Sequence, residues 1–216
     1  MKLEDIVLKR FVLSDFEENA YVVSLKGRDD CVVVDPGMGA ERIVEFLQQN
    51  RLTPRAILVT HGHWDHIGGI AAIRGIWKDA SIYIGAKERS KLTDPNGNLS
   101  SAFGFPLTTC DADKLLQDDE NFEVAGLTFQ ALEVPGHSAG HVVYLLELEE
   151  VPFVFCGDVV FAGSIGRTDF ADGNYSLLVK KIKEKIFPLS DETFLYPGHG
   201  PNTTLKKEKR TNPFLI

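Results

Sequence analysis

Three of the six histidines fall within six positions, in Thr60-His61-Gly62-His63-Trp64-Asp65-His66-Ile67-Gly68-Gly69. In an extended segment, residues two apart project to the same side. His61 and His63 can therefore grip one metal ion together, while the neighbours Asp65 and His66 diverge toward a second. Imidazole and carboxylate suit zinc, and also iron and manganese. Glycines at 62, 68 and 69 let the backbone pass close to the ions. A lone histidine is more often a satisfied core or surface residue. An H-x-H-x-D-H run behind an apolar stretch is not explained that way.

The elements around the cluster place it. Ala56-Ile57-Leu58-Val59 reads as a buried strand, and Ile70, Ile73 and Trp77 recur at helical spacing in a run from Ile67 to Trp77. The cluster thus lies on a strand-to-helix turn at the carboxyl end of a strand, where open α/β sheets bind ligands. His137, Asp158 and His199 repeat the arrangement: each follows an apolar strand and stands beside a glycine. One division gives a first ion His61, His63 and His137 and a second ion Asp65, His66 and His199, with Asp158 bridging both. Each ion then keeps an open position, as catalytic sites do. His141, four residues after His137, reads as a turn residue or a support behind the ligands.

The remaining pattern is two halves, each of strands followed by a helix. Ile6–Leu13 reads as an edge strand, and Tyr21–Leu25 with Cys31–Val34 as a hairpin across Gly27-Arg28-Asp29-Asp30. Asp35-Pro36-Gly37 ends the second of these. Asp35 is either a turn-former, the simpler reading, or a carboxylate behind the histidines. Glu41–Asn50 is an amphipathic helix with Ile43, Val44 and Leu47 inward, and Ser81–Ile84 a short strand. Thr93–Thr109, rich in Gly, Pro, Asn and Ser, is a long loop: a lid, or a connection whose Phe103 and Phe105 pin it to the core. Phe122–Val124 and Leu127–Val134 form a hairpin over Ala125-Gly126; Val142–Leu148 and Phe153–Cys156 pair; Asn174–Phe187 is a helix; Thr193–Tyr196 is the last strand. The expected architecture is α+β, an αββα sandwich of two mixed sheets with helices on the outer faces.

The chain has 216 residues, 44% hydrophobic and 25% charged, which allows one sizeable core. A net charge of −8 disfavours nucleic acid as a partner. The dense run Lys206-Lys207-Glu208-Lys209-Arg210 reads as a solvated face. No apolar run reaches membrane-spanning length, and Met1-Lys2-Leu3-Glu4-Asp5 has no signal core. Three widely spaced cysteines, Cys31, Cys110 and Cys156, argue for a reducing compartment rather than a disulfide framework. Cys31 and Cys156 sit in apolar strands as packing residues, and a cytoplasmic location is expected.

The segments Thr60–Gly69, Pro135-Gly136-His137-Ser138-Ala139-Gly140-His141, Gly157-Asp158 and Pro197-Gly198-His199-Gly200 resemble the metallo-β-lactamase superfamily. Within it they look like glyoxalase II, the hydroxyacylglutathione hydrolases. Gly163–Phe170 and Lys209–Phe214 resemble the short, single-domain bacterial type. The likeness covers nearly the whole chain, and it implies a single domain over residues 1–216, without the C-terminal helical domain that helps two-domain glyoxalase II hold glutathione. Lactamases of this fold typically carry cysteine or serine where Asp158 stands, which disfavours antibiotic hydrolysis. Flavodiiron proteins carry glutamate at the position of His63, which removes that reading.

The resemblance implies two divalent ions, zinc first with iron or manganese as substitutes, and a small glutathione-linked thioester as substrate. The chain would be a monomer or small homo-oligomer. Metal-activated water would attack the thioester, with Asp65 orienting it or carrying a proton. Arg167, in a glycine-bounded loop after Asp158, suits a substrate carboxylate, or equally a surface ion pair that braces the loop. Persulfide dioxygenases, with one iron on two histidines and an aspartate, share a segment like Gly166–Asp169 and form the alternative. A nuclease is disfavoured by charge, and a non-enzymatic module by the complete ligand set.

Overall fold

A computed structural model describes residues Met1–Ile216. Two six-stranded mixed sheets face each other. The first runs β1 (Ile6–Leu13), β2 (Glu18–Leu25), β3 (Asp30–Val34), β4 (Thr53–Val59), β5 (Ser81–Gly85) and β6 (Lys114–Leu116) in spatial order. β1, β2 and β3 pair antiparallel; β3 to β6 pair parallel. The second sheet is built from β7 (Glu120–Val124), β8 (Leu127–Glu133), β9 (Val142–Leu146) and β10 (Phe153–Gly157). A small ribbon follows, β11 (Val160–Phe161) with β12 (Ser164–Ile165), and then β13 (Phe194–Pro197) and β14 (Thr203–Thr204). Its order is β14-β13-β10-β9-β8-β7, with only β10 and β13 parallel.

Alternation along each strand sorts side chains between layers. In β4, Ala56 and Leu58 enter the cluster between the sheets, with Val32, Val34, Phe129, Tyr144 and Phe155. Ile57 and Val59 face the other way, against helices α1 (Glu41–Gln49) and α3 (Ile70–Ile76). A third cluster joins the outer face of the second sheet to α4 (Tyr175–Lys181) and α5 (Leu205–Thr211). The expected αββα sandwich is the observed one. α1 buries Ile43 and Leu47 completely, each worth about 1.5–3 kcal/mol relative to exposure. Val44 is only half-buried.

Two buried tyrosines join the sheets at the edge where the parallel strands end. The Tyr144 hydroxyl in β9 donates to the Val59 carbonyl in β4 at 2.7 Å. The Tyr21 hydroxyl in β2 donates to the Pro197 carbonyl in β13, also at 2.7 Å. Tyrosine is used this way when its ring is core and its hydroxyl must still be satisfied.

Two expectations need correction. The helix expected over Ile67–Trp77 is broken into a single turn, α2 (Trp64–Ile67), and α3. Gly68 and Gly69 form the corner between them, pressed onto the 36–40 turn, and Gly69 N–H donates to the Pro36 carbonyl at 2.8 Å. A side chain at Gly69 would collide with Ala40. The helix expected over Asn174–Phe187 is α-helical only to Lys181, then widens into a π turn at Ile182–Ile186. Asn174 caps it by accepting from Leu177 N–H at 2.9 Å. Leu178, Ile182 and Ile186 are nonetheless all fully buried.

Candidate metal centre

Four connections at one edge of the sandwich carry the predicted donors. His61 and His63 leave β4, Asp65 and His66 lie on α2, His137 follows β8, Asp158 follows β10, and His199 follows β13. The structure brings all seven together. His61, His63 and His137 form one group whose donor atoms lie within 4.8 Å of one another, and Asp65, His66 and His199 form another. His61, His66 and Asp158 make a third set linking the two. Asp158 Oδ2 stands 3.6 Å from His137 Nε2, and its Oδ1 3.4 Å from His66 Nε2.

The supporting hydrogen bonds set the tautomers. His137 Nδ1 donates to the Arg167 carbonyl at 2.8 Å, leaving its Nε2 lone pair toward His61 Nε2 (3.2 Å) and His63 Nδ1 (3.0 Å). His199 Nδ1 donates to the Phe16 carbonyl at 3.1 Å, and its Nε2 faces Asp65 Oδ2 at 3.3 Å. A ring that donates from one nitrogen offers the other as a ligand. His66 Nε2 and Asp158 Oδ1 are buried with no hydrogen-bond partner, although buried polar atoms are normally satisfied. Converging nitrogen lone pairs and orphaned carboxylate oxygens are what a divalent cation of the zinc, iron or manganese type would satisfy.

The electrostatics agree. Burial pushes His61 and His63 well below the ordinary imidazole value, reinforced by neighbouring rings, so both are neutral donors. Burial alone would raise Asp158, but His66, His137 and His199 outweigh it and hold the carboxylate well below its usual range. Burial would lower His66; the Asp158 and Asp65 charges outweigh it and raise the ring well above normal. Without a cation, this imidazole takes up a proton to balance the carboxylates.

Asp35 departs from the turn-only reading. It does take a left-handed backbone angle, φ 44°. Its carboxylate also accepts from Thr60 N–H and Oγ1, both at 2.7 Å, and stands 3.1 Å from His66 Nδ1. His141 stays outside all three donor groups, as expected. It stacks on His61 with centroids 4.6 Å apart, and its Nε2 accepts from Asp158 N–H at 3.1 Å.

Sequence reasoning missed three residues. Asn19 Nδ2 donates to the carbonyls of Pro197 (3.0 Å) and Gly200 (2.8 Å), holding the His199 loop. Glu18 is buried beside His66, and Glu88 is buried behind Gly62. Glu18-Asn19 opening an apolar strand is a weak signal for the first two; nothing local marks Glu88.

A cleft of about 470 Å³ opens onto the donors. Phe16, Trp64 and Phe103 line one side, and Phe161, Phe170 and Arg167 are also in its wall. Phe105 packs edge-on to Trp64 with centroids 4.9 Å apart, anchoring the 93–109 loop, while Phe103 is 53% exposed at the mouth. Arg167 lies in the wall but is paired in bidentate fashion with Asp169 at 2.7 Å, its guanidinium 4.5 Å over the Phe170 ring.

Residues 13–199 match the family model of the metallo-beta-lactamase superfamily. A probable metallo-hydrolase, YqgX of Bacillus subtilis, is 36% identical over 208 residues, covering 96% of each chain. The hydroxyacylglutathione hydrolase GloC of Haemophilus influenzae is 34% identical over 212 residues, covering 93% of each. Among solved structures, the BLEG-1 B3 metallo-beta-lactamase is 41% identical, with a TM-score of 0.92 over 97% of this chain and 100% of that one. TTHA1623, solved in a di-iron-bound form, is 34% identical, with a TM-score of 0.81 over 96% and 100%. ETHE1 from Myxococcus xanthus is 28% identical, with a TM-score of 0.77 over 96% and 83%.

Proposed function

The chain belongs to the metallo-beta-lactamase superfamily, and from that premise we propose that it hydrolyses thioesters, glutathione thioesters such as S-D-lactoylglutathione first among them, using two divalent ions. The observation that carries this reading is the gathering of seven candidate donors into two groups, with Asp158 placed between them, against His137 of one and His66 of the other. Likeness to GloC supports the substrate class, and likeness to a di-iron-bound protein supports the count of ions.

His61, His63 and His137 would hold one ion, Asp65, His66 and His199 the other, and Asp158 would touch both. Bound there, the ions supply water activated from a pKa of ~15.7 to about 7 as a nucleophile at neutral pH, and charge to stabilise the oxyanion. The chain's own residues do the rest. Asp35 keeps the His66 Nδ1 proton in place and so aims Nε2 at the centre. Asp65, partly exposed to the cleft, can hold a proton between attack and product release. A thiol leaving group with a pKa of ~8.5 departs without a general acid, and none is needed from the chain. Neither buried cysteine competes as a nucleophile: burial pushes Cys31 up to about 12 and Cys156 higher still. The aromatic side chains of Phe16, Trp64 and Phe103 would cover one side of a substrate bound in the cleft, and Arg167 would reach a substrate carboxylate by exchanging its pairing with Asp169.

The test is turnover of S-D-lactoylglutathione by the native chain and by Asp158→Ala. Thiol release abolished in a folded D158A supports the reading; undiminished turnover sinks it. The ETHE1 likeness, together with Gly166–Asp169, favours a second reading, a persulfide dioxygenase with one iron. Oxygen uptake with glutathione persulfide would establish that instead. A β-lactam belongs in the same assay because of the BLEG-1 likeness.

A further inference from the structure

Behind the His61/His63/His137 group lies a buried ion pair that the mechanism does not use. Glu88, in the 3-10 segment Ala86–Leu92, has no solvent exposure. Its Oε2 accepts from Gly62 N–H at 2.9 Å; its Oε1 accepts from Ser138 Oγ at 2.6 Å and Gly140 N–H at 2.7 Å. Gly62 stands between two candidate ligands, and Ser138 follows the third. Lys91 Nζ is 3.2 Å from Glu88 Oε2, donates to Ser138 Oγ, and donates to Asp172 Oδ2 at 2.7 Å. Asp172 accepts in turn from Ala139 N–H at 3.2 Å. Gly62 packs so closely on the Lys91 stem that any side chain there would collide with it.

The other group is braced by different residues. Asp35 holds Thr60 and His66, and the Phe16 carbonyl and Asn19 hold the His199 loop. Neither Asp65, His66 nor His199 bonds to Glu88 or Lys91.

We propose that Glu88, with Lys91 as its counter-charge, is the positioning residue for the His61/His63/His137 metal position, and that it does not act on the position formed by Asp65, His66 and His199. The inference rests on the two-position reading of the site. A buried carboxylate taking three hydrogen bonds fixes the carrying loops firmly. Loss of such support costs metal affinity about 10–100-fold.

Glu88→Gln tests this with little change of shape. Its amide oxygen would stay on Ser138 and Gly140, turning the amide nitrogen toward Gly62 N–H, donor against donor. Zinc affinity is measured by competition with a chromophoric chelator in two backgrounds. His199→Ala leaves the first group as the tighter position; His63→Ala leaves the second. E88Q should weaken zinc about 10–100-fold in the H199A background and less than about twofold in the H63A background. Equal losses in both, or no loss in H199A, overturn the inference. An H199A chain that binds no zinc would overturn the two-position reading itself and, with it, this inference. Should circular dichroism show E88Q unfolded, Ser138→Ala, which removes one of the three donors, is measured in the same backgrounds; it should weaken zinc several-fold in H199A alone, and any other pattern overturns the inference.

Discussion

Asp35 Oδ2 lies 3.1 Å from His66 Nδ1, and the same carboxylate takes both hydrogen bonds that Thr60 can offer. One side chain therefore fixes the residue that follows β4 and the tautomer of His66, a candidate metal ligand. Asp35→Asn tests this cleanly, because asparagine also tolerates the positive φ. The variant should fold, with zinc affinity or thioester turnover down about 10–100-fold. Unchanged zinc content and turnover would show that Asp35 is a turn residue only.

The metal-free chain should be most stable near pH ~6.5, the ordinary imidazole value. Burial holds His61, His63, His137 and His141 below that value. Between their folded and unfolded pKa values the unfolded chain binds more protons, so the stability they contribute is present above ~6.5 and lost as pH falls. Three groups act in the opposite sense. Burial raises Glu18. Burial would lower His66 and His199, but Asp158 and Asp65 outweigh it and raise both. The two raised imidazoles contribute stability that is complete below ~6.5 and lost as pH rises through their folded values; Glu18 likewise loses its contribution as pH rises above ~4.5. Below pH 6.5 the four lowered rings outnumber Glu18; above it the raised groups decide. Thermal midpoints of chelator-treated protein from pH 5 to 8.5 should therefore pass through a maximum, whereas a steady rise to pH 8.5 would contradict the assignment.

Gly157→Ala should damage both fold and site. Gly157 has φ 48°, and an added methyl would meet His141 Nε2 at 2.7 Å as well as the Thr60 hydroxyl. Overpacking of this kind costs about 1–3 kcal/mol. The displaced neighbours include His141, which receives the Asp158 N–H, so zinc content should fall too. A urea midpoint and zinc content equal to those of the native chain would refute the close packing.

The gathering of the seven candidate donors was legible because His61, His63, His137, Asp158 and His199 each follow an apolar strand, with Asp65 and His66 on the turn of helix directly after the first pair, and such strand ends converge at one edge of a stacked pair of sheets. The αββα layering was legible from alternation, as Ile57 and Val59 against Ala56 and Leu58 show. Glu88 was not: it lies in a 3-10 segment with no apolar period, and its three partners come from loops about 26 to 52 residues away in sequence. The break at Gly68–Gly69 was hidden because its cause, the 36–40 turn, packs from the neighbouring strand's end. Arg167 lies in the cleft wall and pairs with Asp169, two roles that the sequence alone leaves equally open because both need only an exposed guanidinium in that loop.

Metal content of the purified chain, measured beside turnover of S-D-lactoylglutathione and glutathione persulfide, separates a two-ion thioesterase from a one-iron dioxygenase. About two divalent ions per chain, thiol release from the thioester and no oxygen uptake are the predicted results. One iron per chain with oxygen consumed on persulfide would contradict the two-ion thioesterase reading and leave four of the seven candidate donors without a metal to hold.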